Sequence, residues 1–290
     1  MAVRVLWIGI VILFQGSLAL AGALPTTLDN VVVFAKSKLN LISYSELTSG
    51  QVLVGDTAGV AAPGRYFRAL QDTQIIADNV NVIAGRTSKP QFFDVFTNSL
   101  TAPHGYTLQG TLNTVTLPLF TFPTAPVITF GTKRCPTPGR IAGDCLIRGG
   151  TPVLLEPGDY RKLIVRSRAH VSFAGGTYNF KSVTGGLKST FIFNGTSTVN
   201  VAERASFGVG SVIGPISQTE LNGRCITINI AGDRVRFLPF TDVNATVSAP
   251  NADMNMRGYS VYRGNFVGQK VTVGWAATIE AAPALTAACP

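Results

Sequence analysis

Acidic side chains are scarce in this chain, 15 against 24 Lys and Arg, and histidine appears only twice. Polysaccharide-cleaving enzymes work with clustered Asp and Glu as acid, base or charge stabiliser, and so few carboxylates argue against that chemistry. His104 and His170 are too isolated for a nucleophilic triad, and no G-x-S-x-G, phosphate-binding loop or Cys-x-x-Cys string occurs. The four cysteines lack ligand spacing, which leaves no metal and no cofactor to expect. Past residue 24 no run is long and apolar enough to span a membrane. Charged residues make up 13% of the chain and hydrophobic ones 46%, a balance that describes packed β structure and excludes disorder.

What the chain does have begins with a basic residue, Arg4, an apolar run from Val5 to Phe14 and a small-residue stretch from Ser17 to Ala23. A core of about ten apolar residues is half of what a bilayer needs, so residues 1–23 read as a cleaved signal peptide, with cleavage after Ala21 or Ala23. The Leu24-Pro25-Thr26-Thr27 string looks like a wall-anchoring motif at the wrong end of the chain. In an exported protein four cysteines read as two disulfides, and three pairings are possible. Cys135 and Cys145 bracket a Pro/Gly-rich loop, which favours a local bridge and leaves Cys225 to tie down Cys289. The formal net charge is +9, or +8 without Arg4, and fits acidic polysaccharide, anionic lipid or nucleic acid. Export puts nucleic acid last, and no aromatic-interleaved basic run supports it.

The most regular stretch runs from Leu154 to Gly214, where Leu163 to Val165, Tyr178 to Phe180, Phe191 to Phe193 and Val199 to Val201 are separated by Gly, Ser, Asn and Thr. No helical period links them. Counting from Leu163, the positions Leu163, Val165, Ser167, Ala169, Val171 and Phe173 form one face, while Ile164, Arg166, Arg168, His170 and Ser172 point the other way. Ile226, Ile228 and Ile230, then Val235 and Phe237, continue the alternation, and strands recur at irregular intervals of roughly 8 to 20 residues. This is the pattern of an all-β solenoid with coils of unequal length.

Residues 24–290 read as one β-helix domain, divided into less regular coils at 24–132, a disulfide loop at 133–149 and regular coils at 150–290. Asn30 to Phe34, Leu39 to Ser43, Val52 to Val54 and Thr73 to Val82 are expected strands. Tyr66 to Leu70 opens a short helix, and the spacing of Phe92, Phe93 and Phe96 predicts a helix of two to three turns over Pro90 to Leu100, capping or flanking the solenoid. The proline-punctuated passage Leu117 to Phe130 cannot sit in a central ladder and is expected to form an edge or a strap.

Four strings carry a resemblance. VLLEPGDYRKLIVRSRAHVSFAGGTYNFKSV (Val153 to Val183) resembles the L-x-P-G-x-Y, L-x-V, G-G-T-Y-x-F-x-S-L signature of bacterial ice-binding-like adhesive domains of the choice-of-anchor A type. ITINIAGD (Ile226 to Asp233), SAPNADMNM (Ser248 to Met256) and GNFVGQKVTVG (Gly264 to Gly274) follow in the family's order. The N-terminal half departs from the pattern, and only Asp78 to Val82 is similar to the family's G-x-x-V-x-G-N-V coils. The resemblance implies a right-handed parallel β-helix, exported to the cell surface or beyond, with an adhesive role and no catalytic residues.

The outward positions Lys162, Arg166, Arg168, His170, Lys181, Arg234 and Arg236 form a candidate basic strip. Its expected partner is an extracellular polysaccharide or other cell-surface polymer. Glu156 and Asp159 flank a Pro-Gly turn, and Asp233, Asp242 and Asp253 would form a carboxylate ladder only if their coils align. Asn194 and Asn244 begin glycosylation sequons. Ice binding is disfavoured, because it needs a flat, regular Thr-rich rank and the outward positions mix Arg, Lys, Asn and Thr. A pectin-lyase-like enzyme and a self-assembling scaffold of the bactofilin kind are the rival readings.

Overall fold

Strict alternation of apolar and polar residues puts every second side chain on one side of a strand, and a coil of such strands closes only with the apolar side inward. The computed structural model describes residues 31–282 and Cys289, apart from 43, 56–59, 62–66, 70–72, 82–90, 93, 102–106, 109–111, 114–122, 138, 140 and 217–220. It is a parallel β-solenoid made of a 15-stranded and an 11-stranded sheet. A representative coil has three faces. The first is 176–180, the second 182–185 after a bulge, and the third Thr190–Phe193. The bulge recurs in later coils between Ala249 and Asp253 and between Ala35 and Lys38, so it is the corner between the first and second faces.

The interior is dry. Val199, Val201, Ile228, Ile230, Val235, Val247, Val271 and Val273 are buried inside, each worth roughly 1.5–3 kcal/mol on transfer from water. Aromatic rings stack along the axis from coil to coil: Phe173 on Phe193 at 4.5 Å, Phe207 on Phe237 at 5.2 Å, Tyr160 on Phe180 at 5.4 Å. A void of about 10 Å³ among Phe173, Phe191, Phe193 and Ile213 has room for no ligand. Outside, the Asn amides form a ladder: Asn229 donates to Asn200 at 2.9 Å, Asn200 to Asn179 at 2.8 Å, and Asn179 to the Asp159 carboxylate at 2.6 Å.

The chain does not wind from one end to the other. Val31–Leu41 lies inside the larger sheet, and the coils after it, Gly50–Val54, Thr73–Asn81, Asp94–Thr101 and Leu112–Asn113, grow toward one end. The chain then returns past the stack and restarts at the far end with Cys145–Ile147. From there the coils advance until Phe266–Val273 pairs in parallel with Val31–Leu41. Among the described residues a coil late in the sequence therefore covers the earliest one.

Two features close the far end. Residues 123–135 run without regular structure over the outside, as a strap: the Lys133 amide donates to the Asp159 carbonyl at 2.8 Å, and the Lys181 ammonium sits 5.8 Å from the Phe130 ring. The Cys135–Cys145 loop then folds over the open edge of Cys145–Ile147, with Leu146 N–H to Thr137 O at 3.0 Å and Gly139 N–H to Asp144 O at 2.7 Å. Asp144 is nearly buried and accepts both contacts of the Arg161 guanidinium, at 3.1 and 3.2 Å. The loop is thus an end cap, which answers the unpaired edge that any open sheet presents. The second bridge joins Cys225 to Cys289, and Arg224 donates to Ala282 O at 3.3 Å, so Ala282 and Cys289 are both tied to the turn at Gly223–Cys225.

Three expectations are corrected. The helix over Pro90 to Leu100 is two strands, Gln91–Phe92 and Asp94–Thr101, because a neighbouring coil offers each a parallel partner. The short helix at Tyr66 to Leu70 is strand Phe67–Ala69, and among the described residues the only helical element is one 3-10 turn at Gly223–Cys225. Ser167, read as inward, is exposed because the chain turns there. Residues 1–23 lie outside the described residues.

Two outcomes follow. A Cβ on Gly232 would lie 1.4 Å from the Glu203 carbonyl oxygen, whereas one on Gly149 meets nothing nearer than 3.8 Å. Gly232→Ala should therefore lose roughly 3 kcal/mol of stability and Gly149→Ala almost none, as read by denaturant unfolding. The buried Tyr178 hydroxyl donates to Leu155 O at 3.0 Å, and burial pushes its pKa up to about 12. The unfolded chain ionises first, near 10, so stability is intact below that pH and is lost as pH rises toward 12. Tyr178→Phe should flatten that decline in an alkaline unfolding series.

Candidate functional site

With the interior filled, chemistry is left to the outer wall, and coil stacking sorts that wall by face. On the first face the outward pairs fall into register as Thr177 and Asn179, Thr198 and Asn200, Thr227 and Asn229, then Thr246 and Ser248. No charge interrupts the two columns within these four coils. Their neighbours along the axis are one strand spacing apart, about 4.8 Å.

The second face is different. Its outer column reads Lys162, Ser182, Arg204, Arg234, Asp253, Lys270 and Lys38, coil by coil, with Ser182 alone buried. Six steps of about 4.8 Å make this column about 29 Å long. Beside it run Ile164, Thr184, Ser206, Arg236, Asn255, Thr272 and Asn40. Arg234, Arg236, Asp253, Asn255, Lys270 and Thr272 line a shallow groove of about 190 Å³. Arg204 stands directly opposite Arg234, and Lys270 opposite Lys38. Like charges stacked in register work against folding, so these two pairs cost the fold stability.

The predicted strip is thereby divided. Lys162, Arg234 and Arg236 share the second face. Arg166 and Arg168 are exposed at the corner leading to the third face, and His170 sits on that third face in register with Thr190. Lys181 lies at the bulge and is paired with Glu203 at 3.1 Å. Sequence parity missed Arg204, Lys270 and Lys38, which complete the column. Aligning coils on their inward pairs, Ala205 and Phe207 with Val235 and Phe237 and with Met254 and Met256, is the signal that would have placed Arg204.

Among the described residues Asp233, Asp242 and Asp253 form no carboxylate ladder. Asp242 lies on the third face, where Arg263 joins it at 3.0 Å and also contacts Glu280. Asp253 is on the second face and Asp233 is exposed at a turn, so the three do not stack. Asp159 is held by Asn179, and the Glu156 carbonyl accepts the Tyr160 hydroxyl at 2.6 Å. Among the described residues no three His, Cys, Asp or Glu side chains gather as metal ligands. His104 lies outside the described residues. Asn194 is exposed while Asn244 is buried, so the folded chain offers a glycan only the first sequon.

The sequence matches no known protein family and no curated protein. Among solved structures it is similar to the crystal structure of an ice binding protein from an Antarctic bacterium, Flavobacteriaceae. The two are 10% identical over 92% of this chain and 83% of the other, with a TM-score of 0.25. A likeness that slight carries no argument about fold or function, and the four strings from Val153 to Gly274 stay a resemblance.

Proposed function

We propose that this chain is an exported or surface-displayed binding module, without catalysis, that grips an acidic polysaccharide along its second face. The single observation that carries the reading is the column of Lys162, Arg204, Arg234, Lys270 and Lys38, broken by one acid, Asp253. A linear polyanion laid along the axis meets a cation at most steps and relieves the Arg204–Arg234 and Lys270–Lys38 repulsions. Each contact is exposed or half-buried and weak, and their sum over one polymer gives the grip. Two disulfides and the signal-like N-terminus support an oxidising compartment outside the cytoplasm. The adhesive role implied by the family resemblance fits the same face.

The test is binding to polygalacturonate, with dextran as the neutral control. Affinity should fall steeply as salt rises from 0.1 to 1 M, where the Debye length shrinks from about 10 to about 3 Å. The double variant Arg204→Ala/Arg234→Ala should bind tenfold or more weakly with an unchanged or higher melting temperature. Binding to neither polymer at low salt, or equal binding by the variant, ends the reading.

A second reading has one observation behind it, the threonine rank. The mixture of Arg, Lys, Asn and Thr that disfavours ice binding describes the coil as a whole, whereas the first face sorts out Thr177, Thr198, Thr227 and Thr246 in register. If that rank orders water into a lattice, the chain inhibits ice recrystallisation and Thr198→Lys/Thr227→Lys abolishes the effect. Ice crystals that coarsen at the same rate with and without the chain would dismiss it.

A further inference from the structure

The corner between the second and third faces carries four exposed aromatic side chains in successive coils. Phe240, Tyr259, Trp275 and Tyr44 are 58%, 49%, 42% and 39% exposed. Phe240 stacks on Tyr259 at 5.2 Å, Tyr259 meets Trp275 edge-on at 4.6 Å, and Trp275 meets Tyr44 edge-on at 5.6 Å. Continuous apolar surface of this kind marks a binding site more often than a packing accident.

The fold does not require these rings. The corner position needs left-handed backbone, with φ between 52° and 70° at Lys188, Gly210, Phe240, Tyr259, Ala276 and Tyr44. Gly210 suits that conformation, and bulky residues resist it. The turn is fixed from inside instead, by buried hydroxyls directly after it. Ser211 donates to Gly208 O at 2.8 Å and meets Ser189 at 3.0 Å, and the Thr241 amide donates to Ser260 Oγ at 2.9 Å. The same turn forms with Gly210 or Ala276 at its apex. Phe240, Tyr259 and Tyr44 are thus held in a backbone conformation that bulky residues resist.

The corner is also charged. Followed away from the aromatics, the same column continues to Lys188 and Arg168, both exposed, and Arg257 stands exposed two residues before Tyr259. We infer that the corner from Tyr44 to Phe240, continued by Lys188 and Arg168, is the track on which the sugar rings of an acidic polysaccharide lie. A pyranose has a face of polarised C–H groups that rests on the electron-rich face of an aromatic ring, while Tyr and Trp offer a polar tip to its hydroxyls. Its carboxylates then meet the cations of the corner and of the adjoining second face. A single-stranded nucleic acid would also stack and pair with cations, but the disulfides favour a compartment where polysaccharide is the available polymer.

This inference rests on the acidic-polymer reading, and its test separates the two. Binding of polygalacturonate, dextran and oligothymidylate is measured for the mature chain, Trp275→Ala, Tyr259→Asn and Arg204→Ala/Arg234→Ala. Asn accepts left-handed backbone readily, so Tyr259→Asn should melt at the same temperature or higher. Trp275→Ala and Tyr259→Asn should each bind polygalacturonate at least tenfold more weakly. If only the arginine variant loses affinity, the corner has no such role while the basic face stands. If all variants bind as the parent does, both readings fall. A lower melting temperature for Tyr259→Asn would make the rings a structural brace, and tighter binding of oligothymidylate would assign the corner to nucleic acid. Either result overturns the inference.

Discussion

Strand Val31–Leu41 has a parallel neighbour on each side, Gly50–Val54 on one and Phe266–Val273 on the other. Everything else in the molecule depends on that second pairing. It joins two windings whose chains run in the same axial direction, and without it each would end in an open edge, with Val33, Ala35 and Phe266 exposed to water. The contacts that seal it are long in sequence and ordinary in strength. Asn40 donates to Thr272 Oγ1 at 3.2 Å across 232 residues, and Leu39 sits over Val271. Backbone ladder and buried aliphatics do the sealing, since each buried side chain outweighs an exposed ion pair, worth about 0–1 kcal/mol, such as Lys181–Glu203.

The interior of the fold was largely legible in the sequence and its order was not. Alternation from Leu163 places Leu163, Val165, Val171 and Phe173 inside, because parity is a local property of extended backbone. It fails at Ser167, where the chain turns through left-handed Arg168 and the count of two per repeat is broken. Phe92, Phe93 and Phe96 satisfy a helical spacing as well as an extended one. Pairing with the coil of Thr73–Asn81 decides in favour of strand, and that partner is invisible to a window of ten residues. The winding order is harder still. Nothing in Val31–Leu41 says that its neighbour lies more than 200 residues away, because a solenoid strand accepts any flank that matches its inward side chains.

The candidate surface was half legible for the same reason. Parity separates outward from inward, so Arg234 and Arg236 could be found, but it cannot say which outward residues share a face. That depends on where each coil bends, and the bulges at 180–182, 249–253 and 35–38 set the bend. Once the bends are known, threonine and asparagine collect on one face, cations on the next, and aromatic rings on the corner beyond. Folding explains the asparagine ladder, whose amides satisfy one another. It explains neither stacked arginines nor aromatic residues on left-handed backbone, and these departures from local preference are where a function is to be sought.

The return of the chain past its own stack also governs when the molecule can be finished. Val31–Leu41 emerges early from the ribosome but receives its second neighbour only when Phe266–Val273 has been made. Contacts of such separation are slow to form, and an edge left waiting is open to other chains. A polypeptide wound in this order can seal the seam between its two windings only after the later strand has been made, so completion of the stack is deferred to the arrival of Phe266–Val273.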